Sequence, residues 1–215
     1  ETYFFSSQTL TTVGYGRISP VGFFANTIAS MEALIGILTL AIITGLLYGR
    51  FVKPKAYVRF SKEAVVAPFK DGRALMLRLA PIKNAKLSEV SIQVTCSLML
   101  EENGKMVNRY FTLPLQFGTL NTLYLSWTVV HPINEESPFF NLAEKDMQDA
   151  DMEIIVFLKA FDEDFSNTVI ARTSYTYDEI VVGAKYIPIF YDSPEGKGTI
   201  VEMEKIDKWE RVSLE

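Results

Sequence analysis

Cysteine and histidine are almost missing from this chain. Of its 215 residues one is a cysteine, Cys96, and one is a histidine, His131. A single cysteine excludes an intramolecular disulfide and agrees with a reducing compartment. With one residue of each kind, a Cys–His metal site or nucleophile pair has no partners to draw on. The chain also lacks a phosphate-cradling loop and a serine–histidine–aspartate constellation. The chain therefore reads as no enzyme, with no cofactor.

Charge is missing from one long stretch. The overall figures, 48% hydrophobic residues and a net charge of −5, hide two unlike regions. From Val21 to Tyr48 the only charged residue is Glu32. A helix of that length spans roughly 42 Å at ~1.5 Å per residue, more than the ~30 Å hydrocarbon core of a bilayer. The stretch predicts a transmembrane helix. It is not a signal peptide, because polar and aromatic structure precedes it and no small-residue cleavage site follows. Arg50, Lys53, Lys55, Arg59 and Lys62 crowd its C-terminal side, and only Arg17 lies close on the other. The excess of basic residues places the C-terminal part in the cytoplasm. Glu32 is costly in a membrane unless it faces protein or water. Near the outer end of the helix, it is expected behind or just below the preceding loop, the alternative being interfacial snorkelling.

That loop is the most informative stretch. Thr2–Leu10 (TYFFSSQTL) reads as a short aromatic helix, with Tyr3, Phe4 and Phe5 toward neighbouring helices and Ser6, Ser7, Gln8 and Thr9 toward loop backbone or water. Thr12-Val13-Gly14-Tyr15-Gly16 follows, and then the turn Arg17–Pro20. The string TVGYG resembles the potassium-channel selectivity filter. Its glycines admit torsions closed to residues with a Cβ, and alternating torsions turn successive carbonyls toward one axis. Four such loops form carbonyl rings that replace the hydration shell of K⁺. The resemblance implies K⁺ at Thr12, Val13, Gly14 and Tyr15, the Thr12 hydroxyl adding a lower ring. Non-helical backbone at membrane depth must be buried in protein, so a further, outer helix is expected upstream of Glu1.

After Lys55 the pattern changes to period two. Val90, Ile92, Val94, Cys96, Leu98 and Leu100 alternate with polar residues or Met99, which predicts a half-buried strand. Glu102-Asn103-Gly104 turns into a strand over Val107–Leu113. Asp71-Gly72 joins Ala64–Phe69 to Ala74–Leu79 as a hairpin. Further strands are expected at Leu123–Val130, Glu153–Phe161, Thr168–Tyr175, Tyr186–Tyr191 and Thr199–Met203. Asn141 and Glu144 have capping-box spacing for one short helix. Asp162-Glu163-Asp164 reads as a solvated hairpin tip. Many short strands with turn signals predict a β-sandwich. The expected domains are a pore domain at 1–50, a linker at 51–60 and the sandwich at 61–215.

Taken in order, the aromatic helix, TTVGYG, a glycine-bearing apolar helix and Gly49-Arg50-Phe51-Val52-Lys53-Pro54-Lys55 resemble the inward-rectifier potassium channels, with their prokaryotic KirBac branch the closer match. His131–Pro138 (HPINEESP) and Tyr177-Asp178-Glu179-Ile180 with Gly183 resemble two further segments of that family. The resemblance covers essentially the whole chain. It implies an immunoglobulin-like sandwich, a homotetramer around a cytoplasmic extension of the pore, and an inner-membrane location. It implies Gly36 and Gly45 as hinges, the alternative being close helix packing. Leu40 lies where strongly rectifying members carry a cavity-facing acid, so block by Mg²⁺ or polyamines is not expected. Helical spacing keeps Leu40, Thr44 and Tyr48 on nearly one face, with Tyr48 as a gate. Glu179 matches the acid that lines the cytoplasmic extension. Arg50, Lys53 and Lys55 match the region that binds phosphoinositides, or other anionic lipid, although Ala56 replaces a further basic residue. Gln8 stands where many members carry a pore-helix glutamate paired with an arginine, so that ion pair is not carried over. The rival readings are a weakly selective cation channel and a membrane-anchored β-sandwich sensor or binding module.

Overall fold

The computed structural model describes residues 1–51, 55–140, 144–192 and 198–214. The chain parts into two compact units, Glu1–Lys53 and Pro54–Glu215.

The first unit is two helices and a loop. Helix α1 spans Thr2–Leu10 and α2 spans Phe23–Phe51. Only Gly36 of α2 is buried, although an 18-residue window of the helix has a mean hydropathy of 2.0. An apolar helix bare on nearly every side is out of place in water and fits a lipid or protein surround.

The second unit is built from strands. In order they are β1 (Val58–Phe60), β2 (Ala64–Phe69), β3 (Gly72–Pro81), β4 (Leu87–Glu102), β5 (Lys105–Thr112), β6 (Thr119–Leu123) and β7 (Trp127–Ile133). After α3 (Glu144–Asp149) come β8 (Glu153–Asp162), β9 (Asn167–Thr176), β10 (Ile180–Val182), β11 (Ala184–Tyr186), β12 (Phe190–Asp192), β13 (Thr199–Val201) and β14 (Trp209–Arg211). One sheet runs β1-β3-β2-β10, with β7 also on β3; the other runs β5-β4-β8-β9, with β6 also on β4. β10 joins β2 in parallel, while the other pairings are antiparallel. Residues from both sheets fill one core, among them Leu77, Leu79, Val94, Cys96, Ile154, Val156 and Leu158. The period-two pattern of β4 and β8 supplies these side chains, each strand sending alternate residues inward. The unit is a β-sandwich, as its turn-punctuated short strands predict.

Several expectations are corrected. Leu123–Val130 is not one strand: β6 pairs with β4 in one sheet and β7 with β3 in the other, so the chain changes sheets between Leu123 and Trp127. Tyr186–Tyr191 is likewise divided between β11, paired with β14, and β12, paired with β13. The first hairpin turns at Lys70-Asp71, because Gly72 already pairs with Phe69 and Lys70 takes the positive φ, 52°. Asp162 is no solvated tip. It is 1% exposed, and its carboxylate accepts the amides of Asp164 and Phe165 at 3.0 and 3.1 Å. This turns the chain while satisfying the buried charge. The capping position Asn141 lies outside the described residues.

The HPINEESP segment has a structural reason. His131 is 2% exposed; its Nδ1 bonds the Pro114 carbonyl at 2.7 Å and its Nε2 the Ser137 hydroxyl at 2.8 Å. A carbonyl can only accept, so Nδ1 carries the proton and Nε2 accepts from Ser137. The Ser137 oxygen in turn accepts the Phe139 amide, and the Phe139 ring meets the imidazole edge-on. One neutral imidazole thus ties three stretches of chain. Burial pushes the His131 pKa below the ordinary histidine range, against the Pro114 bond, which raises it. The unfolded chain therefore takes up a proton near pH ~6.5 that the folded chain refuses. Stability is expected to be full above that pH and to fall as pH drops from there toward the folded pKa. Thermal unfolding midpoints of the full-length protein across this window test it; a flat profile would refute it. The chain's only histidine also gives a single imidazole signal by NMR, whose midpoint should lie below 6.5. Cys96, the other rare residue, is buried in the core, and burial pushes its thiol up to about 12. It packs as a small apolar side chain.

Candidate pore site

The loop between α1 and α2 grows out of the end of α1. The Thr11 amide bonds the Ser7 carbonyl at 3.0 Å and the Thr12 amide that of Thr9 at 3.1 Å. The next two donors, from Val13 and Gly14, both reach the Gln8 carbonyl, at 2.9 and 3.4 Å. One carbonyl of α1 therefore anchors the start of TVGYG. Beyond it φ is positive at every second residue: 62° at Thr12, 53° at Gly14 and 80° at Gly16. Glycine adopts such torsions freely, whereas β-branched Thr12 does so only under strain. Among the described residues no hydrogen bond is accepted by the carbonyls of Thr12 to Gly16. A run of unclaimed carbonyls on alternating torsions can coordinate a dehydrated cation.

Beside this loop, α2 makes one close approach. A Cβ built on Gly36 would overlap the Leu10 carbonyl and stand 2.8 Å from its carbon. Gly36 is thus a packing glycine that brings α1 onto α2; the same test at Gly45 meets nothing. A hollow of about 310 Å³ opens there, lined by Leu10, Thr11, Thr12, Thr39, Leu40 and Ile43 among others. Leu40 and the start of the filter string therefore share one space. Thr44 and Tyr48 do not line it. Thr39 and Ile43, which the sequence reading passed over, line it at spacings of three and seven from Gly36. Glu32 is half-buried one turn before Gly36. Tyr48 is 68% exposed and Leu40 64% exposed in the single chain.

In the second unit Glu179 closes a capping box. Its Oε2 accepts the Thr176 amide at 3.1 Å and the Thr176 hydroxyl at 3.3 Å, over the short turn Tyr177–Glu179. The side chain is exposed. A second exposed acid was not foreseen: Glu89, with a φ of 49°, sits at the irregularity between Ser88 and Ser91 where β4 slips against β8. A bulge re-aims a side chain and is rarely idle. Period two alone could not reveal it, though the polar Ser88-Glu89 pair marks the spot. Arg50 and Lys55 are exposed, and Lys53 lies outside the described residues.

Comparison with known proteins bears on the whole chain. The model of the inward rectifier potassium channel C-terminal domain matches residues 58–215, and an ion-channel model matches residues 1–53. The inward rectifier potassium channel Kirbac3.1 of Paramagnetospirillum magnetotacticum is 34% identical over 198 residues, 92% of this chain and 67% of that protein. A solved structure of Spo0M, a sporulation control protein from Bacillus subtilis, aligns with a TM-score of 0.31 and 11% identity. That alignment covers 60% of this chain and 50% of Spo0M, and carries no weight at that score. The chain belongs to the inward-rectifier potassium channel family, and so is a membrane channel and not an enzyme.

Proposed function

We propose that four copies of this chain surround one pore and let K⁺ cross the membrane passively. What carries this is the alternation of positive φ at Thr12, Gly14 and Gly16 with unclaimed carbonyls between them. A single copy leaves Val13 and Tyr15 bare, 53% and 79% exposed, and backbone of this kind survives at membrane depth only inside protein. A homotetramer supplies the cover and closes the carbonyl rings. Ions then pass the filter, the hollow beside Thr12 and Leu40, and the end of α2 at Thr44 and Tyr48, where four aromatic rings form a gate. Gly45, with open space around it, is the better placed of the two hinges. The sandwich lies in the cytoplasm of a cell with the chain in its inner membrane. Exposed Glu179 adds a ring of carboxylates on the ion path, which concentrates cations. Arg50, Lys53 and Lys55 meet anionic headgroups, at ~1 kcal/mol each, and make flux sensitive to anionic lipid.

The test is flux through the full-length protein in vesicles. K⁺ and Rb⁺ are expected to pass and Na⁺ not, and Ba²⁺, close to K⁺ in size but doubly charged, to lodge in the filter and block. Equal Na⁺ and K⁺ flux would sink the proposal.

A further inference from the structure

Arg59, one of the basic residues that follow the apolar helix, is not free to meet a headgroup. Its guanidinium donates to the Asp207 carboxylate at 2.5 Å and to the Met203 carbonyl at 3.4 Å. The other oxygen of Asp207, Oδ1, accepts the Lys62 amide at 3.0 Å. Two residues further on, the Trp209 indole donates to the Glu63 carboxylate. Residues 59–63 and 203–209 are thus joined at both ends, although the paired residues lie 144 to 148 positions apart. Every one of these bonds uses a side chain. Among the described residues no bond between main chains links 58–63 with 198–214: β1 pairs with β3, and the C-terminal segment bonds Gly183, Ile187, Ile189, β11 and β12. The Arg59 and Asp207 side chains are 40% and 19% exposed. One substitution can undo such a tie, which it could not do to a strand ladder.

The join falls at a particular place. Six residues lie between Phe51, where α2 ends, and Val58, where β1 begins. Six residues span at most roughly 20 Å, so β1 is a short tether for the helix end. Four apolar helix ends without a tether gather, because that buries aromatic and aliphatic surface. A fixed β1 opposes the gathering. We propose that Arg59 and Asp207 form a clasp by which the C-terminal segment holds β1 and so keeps the end of α2 from closing the pore, resting on the reading of Tyr48 as the gate. Both are positioning residues, since neither touches the ion. The clasp governs the rate of flux and leaves selectivity to the filter.

The experiment compares full-length Arg59→Gln, Asp207→Asn, the double variant and Lys205→Gln in vesicles. The readouts are K⁺ flux per assembled channel, the K⁺ over Na⁺ flux ratio and the thermal midpoint. Lys205 pairs with Glu202 inside the C-terminal segment, so Lys205→Gln is the control and should match wild type. Each clasp single is expected to cut K⁺ flux about fivefold. A loss of about 1.5-fold in each of four copies, modest for an ion pair, compounds to that. The double variant should be no worse than either single, and the flux ratio should hold. Removing the gate should cancel the effect, so that Tyr48→Ala/Asp207→Asn conducts as fast as Tyr48→Ala alone. Clasp singles with wild-type flux or more, whether or not their thermal midpoints fall, would overturn the proposal. So would losses that multiply in the double variant. Tyr48→Ala with wild-type flux, beside singles that still lose theirs, would overturn the gate reading and leave the clasp standing.

Discussion

Gly36→Ala is expected to cut K⁺ flux by about tenfold or more and to blunt the preference for K⁺ over Na⁺. The added Cβ meets main chain, at 2.8 Å from the Leu10 carbonyl carbon and 3.1 Å from its Cα. Neither atom belongs to a flexible side chain that could swing aside. Relief requires α1 to move off α2, and forced repacking of this kind costs about 1–3 kcal/mol in each copy. The movement reaches the filter directly, because Val13 and Gly14 hang from Gln8, two residues before Leu10. A hinge glycine predicts otherwise. Alanine there would stiffen the helix by ~1 kcal/mol and alter opening while leaving selectivity untouched. Gly45→Ala is the contrast, since its Cβ meets nothing. Flux, selectivity and thermal stability of the two variants, measured side by side, separate the cases. A Gly36→Ala protein with wild-type selectivity would return Gly36 to the hinge role.

What could be read from the sequence was local. TVGYG, the run to Tyr48 whose one charge is Glu32, and the alternation along β4 are each local patterns, and the long helix and the strand lie where they were expected. What could not be read depends on partners far along the chain. Leu123 to Val130 is an apolar run with no breaker but Ser126, so it reads as a single strand. Its division between two sheets is decided by β4 on one side and β3 on the other. β10 is three residues long and finds its place only beside β2, more than a hundred residues earlier. Asp162 looked like a surface acid because its amide partners, two and three residues on, are invisible to a count of charges. At the pore, helical periodicity put Leu40, Thr44 and Tyr48 on one face, but a spacing of four drifts around a 3.6-residue helix. The hollow follows Gly36, Thr39, Leu40 and Ile43, and the contact of Gly36 with Leu10 shows which face that is. The same contact shows Gly36 packed against Leu10, which composition alone does not reveal.

Leu40→Asp should convert a channel indifferent to cytoplasmic Mg²⁺ into one that Mg²⁺ blocks. Leu40 shares its hollow with Thr12, the first residue of the proposed filter, and contributes no charge there. In the proposed tetramer the substitution would place up to four carboxylates around one space. At a separation of roughly 10 Å and an effective dielectric constant of about 20, each pair of unit charges attracts by about 1.7 kcal/mol. A divalent ion doubles that for every carboxylate. Repulsion among the four acids holds some of them protonated, and counterions screen the rest, so the sum is far below the bare total. A gain of about a hundredfold in apparent Mg²⁺ affinity needs only ~2.7 kcal/mol, well within what remains. Polyamines, with more charge, should gain more. K⁺ over Na⁺ preference is expected to persist, because selectivity belongs to the carbonyls of the filter and not to the cavity wall. Thr44→Asp is the internal comparison. Thr44 lies one turn further along α2 and does not line the hollow, so its carboxylate should produce the weaker block. If both variants conduct and Thr44→Asp is blocked more strongly, the hollow beside Leu40 lies off the ion path, which then runs along Thr44 and Tyr48 alone.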